Sequence, residues 1–131
     1  MRPRRPEPQV YSIDYDGRRF SPVPADAGPP TIAHYHQDQE LVWAEFGGGE
    51  VLLGSLTGTT AADGELRFAY CMVRAGGEVV TGICRSMPEV LPDGRIRLTE
   101  YWRRFGAGSS SGISTLEELP PEPESPLRNG R

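Results

Sequence analysis

Tight-turn signals recur at short intervals along this chain, and no other feature limits its fold as strongly. Asp16-Gly17, Gly47-Gly48-Gly49, Asp63-Gly64, Gly76-Gly77 and Asp93-Gly94 supply the positive φ angles that hairpins demand. Between them run segments rich in β-branched and aromatic residues: 9–15, 18–23, 31–36, 40–46, 51–60, 65–73, 78–86, 95–105 and 112–118. No window carries apolar residues at the three-to-four spacing of an amphipathic helix. The pattern predicts an all-β fold, a single small antiparallel meander of eight or nine strands. Closing such a meander into a β-barrel removes its exposed edges. An eight-stranded barrel is just wide enough to be filled by side chains or to hold one small ligand.

The two ends read differently. Seven of the thirteen prolines are Pro3, Pro6, Pro8, Pro120, Pro121, Pro123 and Pro126. Segments 1–9 and 120–131 are charged and poor in apolar residues, so they are expected to be disordered tails flanking a barrel domain over 10–119. All fourteen basic residues are Arg, which excludes lysine Schiff-base chemistry and a lysine-bearing phosphate loop. The net charge is −4 and no basic stripe is present, so nucleic acid is not an expected partner. No apolar run approaches the ~20 residues of a membrane helix, and the N-terminus lacks the apolar stretch of a secretory signal. The expectation is a cytoplasmic protein with no membrane partner. Cys71 and Cys84 are expected as free thiols serving as small buried hydrophobes.

Side-chain alternation lets one face be followed from hairpin to hairpin. Two-residue turns at Asp63-Gly64, Gly76-Gly77 and Asp93-Gly94 would set Tyr70 opposite Thr57 and Ile83, and Arg85 opposite Trp102. The interior face would then hold Val51, Leu53, Leu66, Phe68, Tyr70, Met72, Val79, Ile83, Ile96, Leu98 and Trp102. Leu52, Gly54, Arg67, Ala69, Cys71, Gly82, Cys84, Arg97, Tyr101 and Arg103 would face out. Four polar residues fall inside: Arg85, Glu100, Tyr70 and Thr81. A charge inside must be paired or must face a wet cavity. Arg85 and Glu100 would therefore form either a fold-fixing ion pair or the polar spot of a small-molecule site.

The only histidines, His34 and His36, share one face of a strand. Their spacing to Gly28, Glu40 and Gly47 resembles the first cupin signature, which implies a metal held by His34, His36 and Glu40. No metal or other cofactor is otherwise called for. A two-residue turn at Asp38-Gln39 would put Glu40 on the face opposite His36. A simple loop at Gly47–Gly49 would leave His34, His36 and Trp43 outside. A bulged one would bring them inside, beside Glu100 and Trp102.

Three longer stretches, Tyr15–Val23 (YDGRRFSPV), His34–Gly48 (HYHQDQELVWAEFGG) and Thr81–Trp102 (TGICRSMPEVLPDGRIRLTEYW), together with Ser110–Gly112, resemble a family of short bacterial proteins often labelled N-acetylglutamate synthase. The resemblance covers residues 15–118 and implies a compact, calycin-like β-barrel. The first reading is a binding protein whose partly apolar cavity takes a small organic ligand through Tyr70, Arg85, Trp102, Trp43 and Thr81. A cofactor-free isomerase or cyclase would use Glu100, His34 and His36 as acid–base groups in the same cavity. A metal-dependent cupin-like enzyme, the synthase activity implied by the resemblance, and a homo-oligomeric module binding through an outer face at Leu41 and Trp43 complete the alternatives.

Overall fold

A computed structural model describes residues 10–25 and 27–121; of the tails expected at 1–9 and 120–131, all but Pro120 and Pro121 lie outside the described residues. Eight strands form one closed antiparallel barrel in strict sequence order. They are β1 (Arg19–Val23), β2 (Ile32–Asp38), β3 (Leu41–Gly48), β4 (Val51–Thr60), β5 (Leu66–Arg74), β6 (Val79–Val90), β7 (Ile96–Arg104) and β8 (Ser110–Glu118). β1 pairs with β8 from Phe20↔Glu118 to Val23↔Thr115, so the described sheet has no free edge. The expected ninth strand at 9–15 is not formed. That segment instead crosses one end of the barrel as a plug, with Ile13 and Tyr15 buried and the Tyr15 hydroxyl donating to the Gly64 carbonyl at 2.6 Å.

The hairpins correct the face tracing. The three that join β4 to β7 close as three-residue loops, not two. In each, a residue and its fourth successor pair: Ala61 N to Glu65 O at 2.9 Å, Arg74 N to Glu78 O at 2.8 Å and Leu91 N to Arg95 O at 2.8 Å. The last loop residue is a glycine with positive φ, 93° at Gly64, 87° at Gly77 and 89° at Gly94. At 62–64 and 92–94 this fits a type I turn followed by a left-handed residue; at 75–77 Gly76 has positive φ as well, 90°, as in a type II turn. Each loop shifts its partner strand by one residue, which exchanges the two faces. One shift turns β6 over and a second turns β7 back. Leu66, Phe68, Ile96, Leu98, Glu100 and Trp102 therefore lie inside as expected, Tyr70 pairs with Leu56 and Gly82, and Cys84 pairs with Trp102.

Thr81, Ile83, Arg85 and Val79 consequently face out, and Gly82, Cys84 and Ser86 face in. The same shift sends Leu53 outward, 67 % exposed, and Gly54 inward against Phe46. Val51 remains on the inner wall because the β4–β5 register slips between Val51 and Leu53.

The core is concentrated at the plugged end. Tyr15, Phe20 and Tyr35 cluster there with ring centroids 4.9–6.4 Å apart, backed by Leu66, Ile96 and Leu98, all essentially inaccessible. Burying each such side chain contributes roughly 1.5–3 kcal/mol. Glu118 ties this floor together: it accepts from Arg18 at 2.8 Å and from the Ile96 amide at 3.0 Å.

Candidate functional site

Towards the other end the barrel is hollow. A cavity of about 280 Å³ runs from Tyr35, Cys84 and Glu100 up to Pro22, Thr31, Val51, Met72 and Arg104 at the mouth. Its walls are mostly apolar and include Phe46, Leu56, Phe68, Tyr70, Trp102 and Leu116. Its width has a local cause. Phe46, Tyr70 and Trp102 each stand directly opposite a glycine on the next strand: Gly54, Gly82 and Gly112. A Cβ on any of these glycines would lie closer than 3.0 Å to the facing ring. The rings thus lie back over bare backbone and the lumen stays open.

Few polar groups reach this space. Ser86 donates to the Glu100 carboxyl at 3.2 Å, and Cys84 Sγ lies 3.7 Å from the Ser86 hydroxyl. Burial disfavours the charged carboxylate and pushes the Glu100 pKa up to about 7, against the lowering effect of the Ser86 and Cys84 hydrogen bonds. Burial, reinforced by the Glu100 charge, likewise pushes the Cys84 thiol up to about 12, so it stays protonated and inert as a nucleophile. The Tyr35 hydroxyl is buried with no hydrogen-bond partner among the described residues, and burial holds its pKa well above the usual tyrosine value. Trp102 Nε1 is committed to Ser114 Oγ at 2.8 Å, which leaves the indole face for contact. At the mouth the Arg104 guanidinium lies 5.2 Å from the Trp102 ring centroid and interacts with the Tyr70 hydroxyl, while its Nε is buried without a partner among the described residues.

The family described as avidin-like protein matches residues 13–119 of the chain. The chain belongs to the avidin-like family. No curated protein and no solved structure matches it significantly. The calycin-type barrel expected from the sequence is the fold of this avidin-like chain; the family match carries neither the synthase label nor a bacterial source.

Within the avidin-like barrel, three of the expected site residues meet: Tyr70, Glu100 and Trp102 all line the lumen. The others do not join them. Arg85 is on the outer face, ion-paired with Glu65, so the expected Arg85–Glu100 pair does not exist. Thr81 is exposed on the same outer face of β6. His34, His36 and Trp43 are also outside. The β2–β3 hairpin turns at Gln39-Glu40, one residue later than expected, and Asp38 pairs with Leu41. His36 stacks on Trp43 with centroids 5.5 Å apart and contacts Glu45 at 3.0 Å.

Glu40 lies in that turn, away from the face that carries the histidines, so the cupin-type set is not assembled. Among the described residues no group of three or more His, Cys, Asp or Glu is placed to hold a metal. A jelly roll is likewise excluded by the meander order. The sequence reading missed Tyr35, Cys84 and Arg104 on the lumen wall and Ser86, which donates to Glu100. Arg104 was reachable by alternation alone, whereas nothing local fixed which face of β2 turns inward. Tyr35 sits between two outward histidines, and Arg104 is two residues beyond Trp102.

Proposed function

We propose that this avidin-like barrel binds a small organic ligand in its lumen. The observation that carries the reading is the cavity of about 280 Å³, apolar-walled and served by only a few polar groups, of which Glu100, Tyr35 and Arg104 stand out. That is the make-up of small-molecule sites, and its volume lies just below their ~300–1,000 Å³ range. Biotin is the natural first probe, since avidin-like proteins bind small ligands of that kind. Trp102 reports on the site directly. In a Trp43→Phe variant it is the one remaining tryptophan, so its emission follows lumen occupancy.

Titration of that variant with biotin and a panel of small cyclic amides and acids should give a saturable change in emission. A ligand at about a hundredfold its Kd stabilises the fold by about 2.7 kcal/mol, which raises Tm by several degrees. A panel that moves neither emission nor Tm would remove the reading. Ligand recovered unchanged after long incubation keeps it a binding protein. A changed ligand would instead make Glu100 the acid–base group, because a carboxyl with a pKa of about 7 suits that task.

We also infer that copies of the barrel associate through the outer face. Leu41, Trp43, Ile83, Tyr101 and Ile113 are 40–66 % exposed there. Sedimentation at rising concentration tests this independently of the ligand; a monomer at all concentrations would refute it.

A further inference from the structure

Charge is unevenly placed on this chain. Its net charge is −4, yet a shallow groove of about 860 Å³ on the outer wall is lined by three arginines and, among the described residues, by no acid. The groove crosses two rows of outward side chains. Arg67, Arg85, Tyr101 and Ile113 pair from strand to strand along one row, and Ala69, Ile83, Arg103 and Ser111 along the other.

These arginines are poorly neutralised. Arg67 and Arg85 stand directly opposite each other, an arrangement that costs stability by itself. Both turn to one carboxylate, that of Glu65. Arg103 lies 5.9 Å from the Phe105 ring centroid and has no carboxylate partner among the described residues. Three guanidiniums therefore face one counter-charge, and all three are exposed.

Their spacing selects the form of the anion. Arg85 and Arg103 are diagonal neighbours on adjacent strands, which sets them roughly 7–8 Å apart. An extended chain presents side chains on one face at intervals of about 6.7 Å, so carboxylates two residues apart can meet both guanidiniums. The planar fork of each arginine suits a carboxylate. Ile83 and Ile113 add apolar contacts over a bed of small residues, Ala69 and Ser111 among them, and a purely ionic partner would leave these unused. A second copy seated on these rows would set arginine against arginine. Leu41 and Trp43, on β3, lie off the groove and stay clear for contacts between copies.

We propose that this groove docks an extended acidic segment of another protein, with carboxylates two residues apart on Arg85 and Arg103 and flanking apolar side chains on Ile83 and Ile113. The assignment is independent of the lumen and of what it holds.

Fluorescence anisotropy with three labelled peptides tests it. The first is Leu-Ser-Glu-Ser-Glu-Ser-Leu, and the second carries Gln in place of both Glu. The third, Leu-Ser-Ser-Glu-Glu-Ser-Leu, has the composition of the first, but its adjacent acids point to opposite sides of an extended chain. The first should bind about tenfold more tightly than the second and measurably more tightly than the third, and added salt should weaken it. Arg103→Gln breaks no ion pair among the described residues and should weaken the first peptide about tenfold. Glu65→Gln removes the shared counter-charge and should tighten it. Arg97→Gln, whose partner Glu117 lies off the groove, should leave it unchanged. Equal binding of the three peptides, or no binding of the first, would overturn the proposal. Tighter binding of oligothymidylate than of the first peptide, lost in Arg103→Gln, would give the groove to nucleic acid and overturn the acidic-peptide partner.

Discussion

The floor and the mouth of the barrel share the same eight strands and the same in–out alternation, yet the floor is packed and the mouth is hollow. At the floor, inward side chains meet inward side chains: Leu66 stands opposite Thr60 and Ser86, and Leu98 opposite Pro88 and Leu116. The plug residues Ile13 and Tyr15 fill what remains. Towards the mouth, three large rings stand opposite glycines instead. Each ring occupies its neighbour's place on the wall and none fills the centre. A binding space in this fold is therefore made within the strands, by which inward positions have no side chain. The loops then decide what surrounds its opening.

Substitutions that tell the two halves apart test this contrast. The largest effect belongs to the floor. Phe20→Ala should cost about 3–5 kcal/mol in urea unfolding, whereas Phe46→Ala, half-buried at the mouth, should cost clearly less. Equal losses would mean that the mouth is packed as tightly as the floor.

Next comes the ionisable group between them. The folded state holds the Glu100 pKa at about 7 against an ordinary value of 4.5, so between those values the folded protein binds the extra proton. Stability is then greatest below pH 4.5 as far as this group is concerned, falls as pH rises towards 7 and is level above it. The total loss is on the order of 3 kcal/mol. Glu100→Gln should flatten that slope and raise Tm at pH 8; an unchanged slope would show that Glu100 is not the group responsible.

A smaller effect separates two kinds of glycine. Gly82→Ala drives its Cβ against the Tyr70 ring and the Arg103 carbonyl, at a cost of about 1–3 kcal/mol. It should also push Tyr70 into the lumen and weaken ligand binding tenfold or more. Gly76→Ala meets nothing within 4 Å but must adopt a φ of +90°. It should cost roughly 1–2 kcal/mol and leave ligand binding untouched. Trp43→Ala, on the outer face with His36, should have the least effect, about 0.5–1 kcal/mol, with no change at the lumen.

The sequence made the meander legible because the hairpins carry their own glycines, all but the β2–β3 turn, where Gln39 takes the positive φ of 57°. It did not disclose loop length, since Asp-Gly serves both a two-residue turn and the end of a three-residue one. One sign was present: Pro92 ahead of Asp93-Gly94 suits the second position of a type I turn, and the longer loop follows from it. Missing this turned β6 over and put Arg85 inside in place of Cys84 and Ser86. Glu100 and Trp102 were nevertheless placed correctly, because two single-residue errors in succession restore the alternation. The histidines drew attention through their rarity, but no local feature distinguished their face from that of Tyr35. The direction of β2 was fixed only by its neighbours, through a two-residue turn on one side and pairing with β3 throughout.

The closure of β1 on β8 also determines where the domain can be held. Leu119 N donates to the Arg19 carbonyl at 2.8 Å, Arg19 Nη2 reaches Pro120 O at 2.7 Å, and Ser12 N donates to Ala62 O at 2.9 Å. Both ends of the described chain therefore leave beside the plugged floor, on the side away from Arg104. A linker, a surface or a second domain joined at either end would grip the vessel by its base and keep the rim clear. Tethered copies strung in tandem would each keep an unobstructed opening, with loading and release independent of the attachment.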